Sequence, residues 1–221
     1  NAAILLRGKK PIEVEIRRIP ELRIEFASLD FDAYGKAETV EEIQDCHNPY
    51  DSFALHKAAL IACGIIPMEG KANLQEILRN MGGGFYMSTR VIGVPKGSGL
   101  GTSSILSGAC VKALGEFLGE KWSDDEIYEL VLSLEQIMST GGGWQDQVGG
   151  LTEGIKLIST KPGIAQNLVV EKIEMPEEGK QELKDRFALI YTGQRRLARN
   201  LLRDVVGGYI GNRPESLKAL K

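Results

Sequence analysis

Two stretches of this chain combine residue types and spacings that could do chemistry. The first is Pro95-Lys96-Gly97-Ser98-Gly99-Leu100-Gly101-Thr102-Ser103-Ser104, between a strand-like run and a helix-like run. Glycines there let backbone N–H groups turn toward an anion without Cβ clashes, and a helix start behind them adds unpaired donors and partial positive charge. The hydroxyls of Thr102, Ser103 and Ser104 can bind phosphate oxygens or magnesium. No Gly-Lys-Ser/Thr closes the loop, so it is not a Walker sequence, and hydroxyls stand where a dinucleotide fingerprint has its third glycine. The plainer alternative is a glycine turn with a Ser/Thr N-cap.

The second stretch holds a pair of acids. Glu135 ends a helical pattern, and Asp146 follows the Gly141-Gly142-Gly143 turn, eleven residues on. A helix end plus a tight turn could bring both carboxylates into one pocket. One on a metal and one facing an acceptor hydroxyl would serve phosphoryl transfer. Taken singly, Glu135 reads better as a solvated helix residue and Asp146 as a local turn cap. Gly-Gly-Gly-Trp-Gln-Asp-Gln (141–147) weighs against that, because polar residues and Trp144 beside three glycines imply backbone crowded against a ligand.

The elements that must position these groups follow from periodicity. Residues 12–26 alternate apolar and polar on both sides of Pro20, as a hairpin or two sequential strands. Residues 53–64 read as a helix stopped by Gly64, and Phe85–Val94 as a strand interrupted at Gly93. Ser103–Leu118 reads as a helix with Ile105, Leu106, Ala109, Ala113, Leu114 and Phe117 inward. Ser123-Asp124-Asp125-Glu126 is a capping box opening a helix to about Met138, ended by Gly141–Gly143. Strand-like runs follow at 154–159, 167–173 and 186–192. A final helix over Arg195–Tyr209 puts Leu197, Leu201, Leu202 and Val205 inward. Strands and helices without strict alternation indicate an α+β fold.

Composition bounds the function. The 221 residues are 43% apolar with a net charge of −3, and the pI is near 5.6. That gives no basic field for nucleic acid or an anionic membrane. No apolar run approaches the ~20 residues of a bilayer span, and no signal peptide is evident. Cys46, Cys63 and Cys110 form neither a zinc-like pair nor a disulfide framework, which fits a reducing, cytoplasmic setting. Cys110, in an apolar helical pattern, is expected to be a buried thiol. The chain begins without Met and stops in a charged, helix-like stretch, so a piece of a longer polypeptide is expected.

Pro95–Ser104 resembles the second motif of the GHMP kinases, roughly P-x-x-x-G-L-G-[ST]-S. Within that superfamily GSGLGTSSIL (97–106), LEQIMSTGGGWQDQVGG (134–150), GIKL (154–157) and YTGQRRLARNLL (191–202) look like the fucokinases, alone or fused to a GDP-fucose pyrophosphorylase. The resemblance implies an α+β domain over 1–185 and the opening of a ferredoxin-like domain over 186–221. It implies that Pro95, Gly97, Ser98, Gly99, Leu100, Gly101, Thr102, Ser103 and Ser104 bind ATP. Ser103 and Glu135 would hold magnesium, and Asp146 would be the catalytic acid facing the sugar. Gly143, Trp144, Thr192, Gly193 and Arg196 would lie near L-fucose, with Arg195 where fucokinases usually carry Thr. The implied activity is ATP-dependent phosphorylation of L-fucose to β-L-fucose 1-phosphate. Other readings within or beside the family are a heptose-phosphate or arabinose kinase, or a non-catalytic sugar sensor. The superfamily's first motif is expected before Asn1 and its third, Gly-Ala-Gly-Gly-Gly-Gly, beyond Lys221. Residues 1–221 alone are therefore expected to bind nucleotide weakly and not to turn over.

Overall fold

The computed structural model describes residues 3, 8–48, 50–95, 98–139, 141–163, 167–190, 193 and 198–219, with backbone alone for 198–202. Four strands form the main sheet: β1 (Ile12–Ile19), β2 (Ile24–Ser28), β3 (Ala33–Ala37) and β4 (Gly84–Val91), in the order β1-β4-β2-β3. β4 runs antiparallel to β1 and parallel to β2. The expected 12–26 pair is thus two sequential strands and not a hairpin, because β4 lies between them. Gly84 explains the insertion. A Cβ there would overlap the Glu21 and Arg23 carbonyl oxygens, so only glycine lets β4 enter against the 20–23 turn. Alternation in β1 turns Ile12, Val14 and Ile16 inward and leaves Glu13, Glu15 and Arg17 in solvent.

Helices cover one face. α1 (Val40–Gln44), α2 (Ala54–Ala62) and α3 (Leu74–Asn80) connect β3 to β4. α4 (Thr102–Leu118) follows β4 and packs on β1, and α5 (Asp124–Ile137) packs on α2 and α4. Ile24, Phe26, Phe85, Met87, Leu60, Val111, Leu114, Val131 and Leu134 form the buried centre. Then come α6 (Gln145–Leu151), the antiparallel pair β5 (Lys156–Thr160) and β6 (Leu168–Lys172), α7 (Glu177–Arg186), α8 (Ala198–Ile210) and α9 (Pro214–Ala219). The architecture is α+β, as expected. Gly64, at φ 72, follows the end of α2. The capping box opening α5 forms in full, Ser123 Oγ accepting from the Glu126 amide and Glu126 from the Ser123 amide. Cys110 is buried, and burial raises its thiol pKa far above the usual value.

Several expectations needed correction. β4 stops at Val91, short of Val94. α5 ends at Ile137 with Met138 as its C-cap, where the sequence put it, but Ser139, already left-handed at φ 53, breaks the helix before the glycines. The deepest stripe of α4 is Ser107, Gly108, Cys110, Val111, Leu114 and Gly115, whereas Ile105, Leu106, Ala109, Ala113 and Phe117 are only half-buried. The shift has a steric cause. Gly108 and Gly115 are where Leu151 and Trp122 come closest, so the smallest residues mark the deepest contact. No strand forms over 187–190, where Phe187, Leu189 and Ile190 are exposed and no described strand pairs with them. Val205, expected inward on the last helix, is 44% exposed because no described element covers that face. Leu197 and the side chains of Leu201 and Leu202 lie outside the described residues. Among the described residues no helix is long and apolar enough to cross a membrane.

His56 on α2 is buried against Phe26 and Phe53, with Nε2 at 3.1 Å from Thr89 Oγ1 on β4. Burial pulls its pKa down from 6.5 to about 4. The folded state therefore resists a proton that the unfolded chain accepts below its ordinary pKa. The stability this contributes is full above about pH 6.5 and is lost as pH falls toward 4, a swing on the order of 3 kcal/mol. Urea unfolding midpoints should decline between pH 7 and 5 in wild type, and decline less steeply in His56→Leu.

Candidate functional site

The start of α4 has no side-chain cap, a feature it shares with α2 and α6. α1, α3 and α5 each have a side chain on a first-turn amide, from Thr39, Asn73 and Ser123. The N-cap of α4 is Gly101, in the left-handed region at φ 68, with no side-chain cap. The plainer Ser/Thr N-cap is therefore not what forms. Thr102, Ser103 and Ser104 sit inside the first turn, and the amides of a 17-residue helix face outward without a side chain on them. Pro95, Ser98, Gly99 and Leu100 approach this end, Gly99 also left-handed at φ 76. Gly97 lies outside the described residues.

Both expected acids converge on this end. Glu135, on the last turn of α5, is only 4% exposed. Its Oε1 accepts a hydrogen bond of 2.8 Å from Ser104 Oγ. Its Oε2 lies 3.0 Å from where a Cβ on Gly142 would stand, and Gln136 Nε2 donates to Gly142 O at 3.2 Å. The glycine turn is thus folded against the Glu135 carboxylate, and that closeness requires glycine. Asp146, in the first turn of α6, is exposed. A Cβ on Gly101 would stand 3.1 Å from Asp146 Cβ and Cγ, so the aspartate lies against the α4 N-cap. The hydroxyl on Glu135 is that of Ser104, while Ser103 points to solvent.

The other expected residues divide. Gly143 is exposed beside Asp146. Trp144 is half-buried and lines a cavity of about 110 Å³ with Asp125, Tyr128, Glu129 and Asn167, on the α5 side of the turn. Gly193 is exposed, at φ 77. Thr192 and Arg196 lie outside the described residues. Two residues next to the site escaped sequence reasoning. Gln147 is fully buried with neither amide atom hydrogen-bonded among the described residues. Lys156 is a buried lysine on β5, and its one sequence signal was a cation flanked by the apolar residues Ile155 and Leu157.

A helix start at a glycine, a buried carboxylate tied to its first turn and a second carboxylate against its N-cap form one oxygen-rich cluster. Residues 71–154, which contain all of these groups, match the family of the GHMP kinases N terminal domain. The chain has the GHMP kinase fold. Solved GHMP-fold relatives include the mevalonate kinase of Methanococcus jannaschii, with TM-score 0.54 and 20% identity over 74% of this chain and 47% of that one. Another is a D-glycero-D-manno-heptose 1-phosphate kinase of Bacteroides thetaiotaomicron, with TM-score 0.55 and 22% identity over 76% and 49%. The sequence is 37% identical over 215 residues to the L-fucokinase/L-fucose-1-P guanylyltransferase of Bacteroides fragilis, covering 96% of this chain and 23% of that protein. It is 39% identical over 213 residues to the bifunctional fucokinase/GDP-fucose pyrophosphorylase of Arabidopsis thaliana, covering 95% and 19%. The chain spans less than a quarter of either relative.

The glycine loop before α4 gives a paired test. Gly99 and Gly101 are both left-handed, but a Cβ on Gly99 would meet open space among the described residues whereas one on Gly101 would press on Asp146. Gly99→Ala should lose only the conformational cost of a left-handed alanine, about 1 kcal/mol, and Gly101→Ala should lose more. Urea unfolding of the two variants side by side measures the difference.

Proposed function

We propose that this chain is the larger part of the catalytic region of an ATP-dependent L-fucose kinase, acting within a longer protein. The observation that carries the chemistry is the placing of Glu135 and Asp146 on either side of the uncapped α4 start. The names and identities of the fucokinase relatives support the acceptor. The reaction is ATP + L-fucose to β-L-fucose 1-phosphate + ADP. In this reading residues 1–185 form the ATP-binding domain, and 186–221 open a second, ferredoxin-like domain. A pyrophosphorylase domain in the same polypeptide is supported by the bifunctional relatives.

The loop backbone around Gly99 and Gly101 offers N–H groups to the ATP phosphates, whose charge the α4 start favours. Asp146, at the mouth of that loop, orients the anomeric hydroxyl and accepts its proton as the oxygen attacks the γ-phosphorus. Exposure keeps Asp146 reachable by substrate, and the Gly101 contact fixes its distance from the phosphates. Trp144 closes the far side of the glycine turn. Phosphoryl transfer asks mostly for positioning and charge neutralisation, which these parts supply.

The oxygen donors fit magnesium. Glu135 and the hydroxyls of Ser103 and Ser104 are hard ligands, and magnesium is usually held by one or two carboxylates plus substrate phosphates. Such a site needs no cage of protein acids, and none is grouped among the described residues. When bound, the ion would neutralise charge on the phosphates. Glu135 is suited to it because its buried carboxylate is held in one orientation by Ser104.

In the full-length protein, Asp146→Asn should cut kcat about 10²- to 10⁴-fold, the usual scale for one acid–base group. Unchanged turnover would remove Asp146 from the mechanism. Glu135→Gln should raise the magnesium concentration needed for half-maximal rate; a titration matching wild type would make Glu135 structural. A panel of sugars with ATP tests the acceptor, L-fucose being expected to give the highest kcat/KM.

A further inference from the structure

Lys156 is a cation in an unexpected place. Its side chain enters from β5 and is 1% exposed. The ammonium donates to Gly149 O at 2.9 Å, to Gly154 O at 3.1 Å and to Thr152 O. All three carbonyls belong to the last turn of α6 and the chain leaving it. An ammonium has three donors, a number these three carbonyls match. Burial lowers its pKa, with Lys172 across the hairpin adding repulsion, so the site holds the charge at a cost. A leucine or methionine would fill the volume without that cost.

What the charge secures is the C-terminal end of α6. Three carbonyl oxygens turned toward one point repel each other unless a cation sits between them, and a helix C-terminus favours positive charge. Tyr128 on α5 adds a second tie, its hydroxyl hydrogen-bonded to Thr152 Oγ1 at the α6 C-cap. α6 has seven residues, about 10 Å at 1.5 Å per residue. Asp146 is the second of them, so the orientation of this short rod sets where the aspartate meets Gly101. Its N-terminal end has no side-chain cap to hold it.

We propose that Lys156 is a positioning residue for Asp146: by clamping the far end of α6 it fixes the carboxylate against the α4 start. The inference rests on the functional reading of Asp146 given above. In this role Lys156 acts through the helix. A displacement of about 1 Å at a reacting group can cost on the order of 10²-fold in rate, so a loosened α6 is costly to kcat while leaving the phosphate loop intact.

The test compares Lys156→Met, Lys156→Gln, Tyr128→Phe and Asp146→Asn in the full-length protein. Turnover is expressed per nucleotide-binding site and measured well below each variant's Tm. Expected is a fall in kcat of about tenfold or more for Lys156→Met and a smaller fall for Lys156→Gln, whose amide can still donate to a carbonyl. KM for ATP should stay within about twofold, and Lys172→Met, on the exposed neighbouring strand, should match wild type. A lysine that merely stabilised the fold would change Tm and leave kcat per site unaltered; that outcome overturns the proposal. Should Lys156→Met not fold, Lys156→Gln and Tyr128→Phe carry the test, and wild-type kcat in both overturns it equally. If Asp146→Asn loses turnover while the Lys156 variants keep it, the clamp alone is wrong. If Asp146→Asn keeps full turnover, the functional reading falls and the clamp with it.

Discussion

Gly108 on α4 and Gly150 on α6 each receive an aliphatic side chain from the opposite helix, Leu151 and Ile105 respectively. A Cβ on either glycine would overlap its visitor, so the two helices approach only because both positions lack one. This reciprocal fit joins the first half of α4 to the C-terminal end of α6. At the other end of α6, Asp146 lies against the glycine start of α4. Interiors packed to crystal density deform little, so a contact made this way transmits its geometry to whatever stands at the helix ends. Gly101 repeats the device at the site itself, where the Asp146 side chain occupies the room that a larger residue would need.

The charged groups around this contact are treated in two ways. Asp146 is left exposed at the first turn of a helix, where a negative charge is favoured and solvent reaches it. Glu135 is buried, which is expensive for a carboxylate unless hydrogen bonds compensate. Ser104 supplies one, and the glycine turn closes over the other oxygen. Lys156 is buried among carbonyls on the opposite side. A buried charge adds little net stability compared with a well-packed apolar residue, but it does impose one arrangement on its partners. Here those arrangements orient a carboxylate and anchor a short helix.

Much of this was legible before any coordinates. Where local signals act alone they were sufficient: the Ser123–Glu126 box opens α5, Gly64 follows α2, and the 95–104 loop joins a strand to a helix. Local pattern left the answer open, or pointed elsewhere, where the decisive neighbour is remote in sequence. β1 and β2 share a sheet but not an edge, because Gly84 admits β4 between them. The buried stripe of α4 was set by what packs on it, Leu151 and Trp122, and not by its largest apolar residues. The apolar run at 187–190 looks like a strand to periodicity, yet strand formation needs a partner edge that no described residue provides.

The sequence by itself determined the chemistry available: a glycine loop rich in hydroxyls, two carboxylates eleven residues apart, and a string of residues resembling one kinase family. Residue types and short spacings carry that information because they depend on side-chain chemistry and local backbone freedom. Only the tertiary structure decided that Ser104 holds Glu135, that Asp146 lies on Gly101, and that a lysine on a later strand clamps the helix between them. Those are through-space contacts, set by which surfaces are small enough to meet, and no periodicity along the chain records them.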